Sequence, residues 1–229
     1  MNNYPQSTKK STLISGIVSL LLILFAGTFL LPKLQDIGIP YETVLYISRF
    51  FIWFCLAILF LFSFYIEKQP FLLYKEQVYP LSYYFKSVVK TMLILIAALF
   101  FVSLLIKAIG YPVESEKMNQ IMKIFKNNIP LIAFTCVTAG ITEELLFRGY
   151  LTPRLEILLK NKYGAIVLSS ILFGLLHYSY GTLIQMIGPF TIGLVFALHY
   201  NKYQNIKIVI ICHFLWDFMV LLIKNGQLH

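Results

Sequence analysis

Glu143 and Glu144 stand side by side inside an apolar run from Pro130 to Leu151, with Arg148 one helical turn further on. His177 lies within the apolar stretch from Ile171 to Gly181, and His213 and Asp217 lie within that from Ile208 to Ile223. An ionisable side chain at hydrocarbon depth is costly, and it persists where it pairs, relays protons or builds a site. Carboxylate beside imidazole is the pairing that takes and returns protons in hydrolysis, and the same groups can ligate a divalent metal.

Helical spacing gives these residues different tasks. Glu144 and Arg148 are i and i+4, acid before base, which is the favourable order for an ion pair. Glu144 is therefore expected to be the structural partner of Arg148. Glu143 points ~100° away from that pair, so its carboxylate has no sequence-local cation and must find water, a histidine or a metal. It is the better candidate for a general base. Asp217 follows His213 at i+4 and can reach an imidazole nitrogen, fixing its orientation or charge. Phe173 stands in the same relation to His177 and can wall it from lipid. A single Glu–Arg pair also serves merely to join helices, but each buried group needs its own partner, and five of them on neighbouring segments are hard to explain as joints.

The elements that must position these residues are membrane helices. The chain is 59% hydrophobic and 13% charged, against roughly 45–50% and about 25% in soluble domains. Its apolar runs are continuous instead of alternating, which excludes a β-barrel and leaves an all-α polytopic bundle. Seven spans are expected, at 13–31, 44–66, 87–106, 130–151, 164–180, 183–200 and 208–223, within a single integral membrane domain (1–229) whose motif-bearing core is 130–223. The run after Lys9 and Lys10 is too long for a secretory signal and is expected to stay as the first span. Met118, Ile121, Met122 and Phe125 recur at helical spacing among lysines, as in a helix lying in the membrane interface. The Gly188-Pro189 step should kink the sixth span.

The net charge of +9 is dispersed over short loops without a basic cluster, so nucleic acid is not expected as a partner; the lipid bilayer is. Cys55, Cys136 and Cys212 have no paired spacing and read as small buried hydrophobes. His199 and His229 are assigned to the interface or solvent, and Arg49 and Lys90 to segment ends from which they can snorkel. Counting ten Lys and Arg on the N-terminal side, Arg154 among them, against six on the other favours a cytoplasmic N-terminus in a multi-pass cell-membrane protein. On this layout Glu143 and His213 lie within ~7–12 Å of the cytoplasmic side, while His177 lies ~20 Å from it. That depth mismatch is a tension for the structure to resolve.

Glu143-Glu144-x-x-x-Arg148, Phe173-x-x-x-His177 and His213-x-x-x-Asp217, in this order on successive helices, resemble the CPBP intramembrane proteases, the family of CAAX prenyl-protein endoproteases and bacteriocin-processing or self-immunity proteins. The resemblance covers roughly Pro130 to Ile223. It implies an endopeptidase with a cavity opening toward the cytoplasm, in which Glu143 and His177 activate water while His213 and Asp217 stabilise the oxyanion. Relatives are described both as metal-dependent and as metal-free glutamate peptidases, so no cofactor is expected and zinc held by Glu143, His177 and His213 is the alternative. Asp217 departs from the Asn that the prenyl-processing enzymes carry there. The implied substrate is a membrane-associated peptide or protein, in peptide maturation such as that of a pheromone or bacteriocin precursor, or in self-immunity. The rival is a non-catalytic self-immunity protein or a proton or ion path built from the same polar residues.

Overall fold

The computed structural model describes residues 9–112 and 115–226, which hold helices and no strand. His229 lies outside the described residues. The helices are α1 (Lys10–Leu30), α2 (Tyr41–Leu61), α3 (Leu81–Ala108), α4 (Glu116–Phe125), α5 (Ile129–Glu144), α6 (Thr152–Leu159), α7 (Lys162–Leu176), α8 (Ile184–Tyr203) and α9 (Ile206–Lys224). Side-chain caps fix four of the starts: Ser115, Asn128, Asn161 and Asn205 each accept from a backbone N–H three residues on, at 3.1–3.3 Å. Such caps satisfy donors that a helix start otherwise leaves unpaired.

Among the described residues, six helical stretches are long and apolar enough to cross a membrane: Lys10–Gln35, Tyr41–Glu67, Leu81–Ala108, Ile129–Leu159, Lys162–Tyr180 and Ile206–Lys224. This is a polytopic helical bundle, with one candidate span fewer than the seven expected. α8 forms at the expected place, with Pro189 inside it, but Gln185, His199, Asn201 and Lys202 dilute its apolar character. It buries Ile192, Phe196 and Tyr200 in a core shared with α3 and α9. α4 is the predicted amphipathic helix, and its Ile121 and Phe125 pack with residues of α5 and α9.

The fourth span is longer than its hydropathy suggests. α5 continues through a π-helical stretch, Leu145–Leu151, into α6, so the helix ends at Leu159, eight residues past the expected boundary. This removes the depth mismatch. Glu143 stands ~24 Å before Leu159 and His177 ~22 Å after Lys162, at 1.5 Å per residue, so the two reach one level. The same extension changes the fate of Arg154, expected among the loop charges. It is fully buried and paired with Glu67 at 2.5 Å, because the π-helical turn brings α6 back against the end of α2. His199 also differs from expectation: it faces α3, with Nδ1 2.9 Å from the Thr91 hydroxyl. All three cysteines are buried and free.

Candidate active site

The site is assembled where α9 crosses α5. Gly140 permits that crossing, since a Cβ there would lie 3.1 Å from the Ile210 carbonyl oxygen and 3.2 Å from the Phe214 nitrogen. Close backbone approach over a small residue is the usual way for membrane helices to pack tightly. One turn further along α5 come Glu143 and Glu144, and they face His213 of α9 in different ways.

Glu144 is completely buried. Its Oε1 accepts from Arg148 Nη1 at 2.8 Å and lies 2.7 Å from His213 Nδ1. The expected i, i+4 pair is therefore present, but Glu144 also fixes the ring of His213. No spacing rule reveals a contact between residues so far apart in sequence. The Arg148 guanidinium lies 4.6 Å from the centre of the Phe173 ring, with Phe147 and Phe196 also beside it, a cation–π setting that partly replaces lost hydration. Among the described residues Glu144 Oε2 and Arg148 Nη2 find no hydrogen-bond partner.

Glu143 has the opposite character. Its Oε2 lies 3.9 Å from His213 Nε2, too far for a hydrogen bond, and its side chain is 15% exposed. Asp217 reaches the same nitrogen with Oδ2 at 3.4 Å, as the i+4 spacing predicts. His213 thus has Glu144 on one ring nitrogen and Asp217 and Glu143 about the other. His177 caps the end of α7; its Nδ1 is 2.8 Å from the Phe173 carbonyl oxygen, which leaves Nε2 for another partner. Phe173 is buried and touches rings on every side, with centroids 5.0 Å from Phe147, 5.0 Å from His177 and 6.2 Å from His213. It walls the histidine, as expected, and in addition joins the three motifs.

A cavity of about 190 Å³ has Glu143 and His177 in its wall, together with Phe147, Phe173 and Arg49. His213 stands next to this wall, with Nε2 3.9 Å from Glu143 Oε2. The cavity extends past Pro32, Gln35 and Lys117, where a wider depression continues toward Glu116 and Gln120. That is the end of the bundle opposite Lys10, so the start of α1 and the cavity mouth lie at opposite ends. The donors named for zinc do not converge: among the described residues no three His, Cys, Asp or Glu side chains gather as a ligand set.

Residues 125–219 match the family described as type II CAAX prenyl endopeptidase Rce1-like. Over this segment, less than half of its length, the chain is similar to the CAAX protease family. The match spans every residue of the three motifs and stops short of α1, α2 and α3. No curated protein and no solved structure matches the chain.

Proposed function

We propose that the protein is an endopeptidase that hydrolyses its substrate with a water activated by Glu143. The observation that carries this reading is a division of labour. Glu144 is occupied by Arg148 and His213, whereas Glu143 borders the cavity with His177 and is held by no hydrogen bond among the described residues. A water between Glu143 and His177 Nε2 would attack the scissile carbonyl carbon while Glu143 takes its proton. The tetrahedral oxyanion would be met by His213, whose Nε2 lies beside Glu143. Collapse would break the C–N bond, with the proton on Glu143 passing to the leaving amine, giving an acid and an amine from one peptide bond and one water. Glu144 would hold His213 in place and Asp217 would act through its Nε2.

Purified protein should cleave membrane-associated peptides, and the Glu143→Gln variant should lose about 10²–10⁴ in kcat, the range of a general base, at unchanged abundance in the membrane. Full activity in that variant would dismiss Glu143 as the base. On this reading activity should survive chelation and the purified enzyme should carry zinc well below one equivalent. Chelator-sensitive activity restored by stoichiometric zinc would replace the glutamate mechanism with a metal-bound water. Maturation of a secreted peptide, or self-immunity, is the physiological role that the family resemblance favours.

A further inference from the structure

α3 and α9 run side by side in the same direction: near their starts Asn205 Nδ2 donates to the Tyr84 hydroxyl at 2.9 Å, and further along both helices Cys212 Sγ lies 3.9 Å from the Val88 carbonyl oxygen. Between them lies an open groove of about 560 Å³. Phe85, Val89 and Leu93 of α3 face Ile211, Leu215 and Met219 of α9 across it, with buried Met92 at its floor. Ile211 and His213 are ~200° apart around α9, so the groove and the catalytic cavity use opposite faces of that helix. From Leu81 to Ile96 the groove follows α3 for ~22 Å, more than one leaflet of a hydrocarbon core ~30 Å thick.

The head of the groove carries the marks of the lipid headgroup level. Tyr79 and Tyr83 stack with ring centres 4.0 Å apart, and Tyr83 lies 6.0 Å from Tyr203; such amphipathic rings collect at the membrane–water boundary. Two lysines flank this level. Lys207 comes one turn before Ile211 on α9, and Lys86 shares the outer face of α3 with Val89 and Leu93, at i+3 and i+7. Both are exposed, and among the described residues neither enters an ion pair. Glu76 is within electrostatic range of Lys207, but its two oxygens are engaged by the Tyr200 hydroxyl and the Ile206 N–H, each at 2.9 Å.

We propose that the α3–α9 groove binds an anionic phospholipid, with the phosphate between Lys86 and Lys207 and an acyl chain lying over Met92. The lining chooses a chain over a helix. Membrane helices approach one another over small residues, and the groove is lined by no Gly, Ala or Ser. A second copy of the protein on this face would also set lysine against lysine across a two-fold axis. The lysines choose among lipids. Each basic residue at the headgroup level favours a lipid of net negative charge by about fivefold, whereas a zwitterionic head offers no such gain. A compact ammonium is moreover a good point-charge partner for phosphate, without the fork geometry that a guanidinium imposes. This site is independent of the proposed protease chemistry.

The test is native mass spectrometry of the full chain, freed of lipid in detergent and titrated with an equimolar mixture of dioleoylphosphatidylglycerol and dioleoylphosphatidylcholine. The first lipid bound should be phosphatidylglycerol, by about tenfold or more, as two lysines imply. Lys86→Gln with Lys207→Gln should bring that ratio close to one. Lys90→Gln with Lys202→Gln, which removes two lysines from the α8 side of α3, should leave it unchanged. Leu215→Trp, which fills the groove, should weaken both lipids together, and an excess of inorganic phosphate should displace neither. Equal first binding of the two lipids, equal loss of preference in the two lysine pairs, or lipid binding untouched by Leu215→Trp would overturn the proposal, the second of these because it would show a diffuse surface charge. A dimer that forms in place of the lipid adduct and is lost in Leu215→Trp would overturn it as well, by giving the face to a second copy.

Discussion

Among the described residues stand two buried arginine–glutamate pairs of similar burial and opposite construction. Around Arg154 every donor is used: Nε lies 2.9 and 3.0 Å from the Glu67 oxygens, Nη1 donates to the Phe71 and Tyr150 carbonyls, and Nη2 donates to Glu67 and to the Ser63 hydroxyl. Glu67 accepts further from Ser63 and from Tyr150. Around Arg148 there is one hydrogen bond, to Glu144, with Arg148 Nη2 and Glu144 Oε2 left over and aromatic rings in place of acceptors. A fully connected polar network rigidifies, whereas an incomplete one is costly unless it serves a purpose. The closed pair ties the end of α2 to α6. The open pair holds His213 beside Glu143.

The largest contrast should come from single substitutions that remove one partner. Arg154→Leu leaves Glu67 buried and unpaired, at a cost of about 3–5 kcal/mol, and should show as low membrane abundance and early thermal unfolding. Arg148→Ala should lose abundance by the same mechanism and activity as well. Replacing both partners separates the two regions. Glu67→Leu with Arg154→Leu should recover abundance and activity together, since an apolar pair of similar volume is often neutral in place of a buried ion pair. Glu144→Leu with Arg148→Leu should recover abundance without activity, because His213 Nδ1 then has no anchor. If that second double variant cleaved normally, Glu144 would be a joint and nothing more.

A smaller effect tests how the open pair is positioned. Gly140→Ala forces α9 outward by a few tenths of an ångström, because the facing atoms are backbone, while Gly188→Ala meets nothing within 4 Å. The first should cost about 1–3 kcal/mol as an overpacked contact and should lower kcat at permissive temperature. The second should be neutral or slightly stabilising through helix propensity. Comparable thermal stability and activity for the two would show that the α5–α9 crossing does not set the distance between Glu144 and His213.

What could be read from the sequence follows the range of the interaction. Contacts within one helix were legible: Glu144 with Arg148, His213 with Asp217 and Phe173 with His177 all follow from i, i+4 spacing. Contacts between helices were not. That Glu144 also anchors His213 depends on where α5 and α9 cross, which Gly140 sets without announcing it in the hydropathy. Arg154 reads as a loop charge beyond a span that ends at 151, and the π-helical turn that carries the helix on to Leu159 has no signal in a 3.6-residue pattern. Arg49 was assigned to a segment end because its depth alone suggests snorkelling; only the cavity wall shows that it faces inward.

The finest difference between the two regions is carried by Asp217, because it adds a third carboxylate about His213, beside Glu144 and Glu143, where the closed pair has Glu67 alone. Its Oδ2 lies 3.4 Å from His213 Nε2, the nitrogen assigned to the oxyanion, and its side chain is 31% exposed. An ionised carboxylate next to a developing oxyanion is repulsive, so Asp217 cannot copy the donor role of an amide. It should act through His213, by orienting the ring and adding negative potential at its Nε2–H. Asp217→Asn keeps a polar group at the same reach and should retain activity within about tenfold, less than the loss of a general base, with a displaced pH–rate profile. Asp217→Leu removes the contact and should lose more. The wild-type and Asn profiles are the decisive pair: a displacement with little change in KM places Asp217 in the ionisation of His213, whereas overlapping profiles would mean that the carboxylate neither charges nor orients the ring.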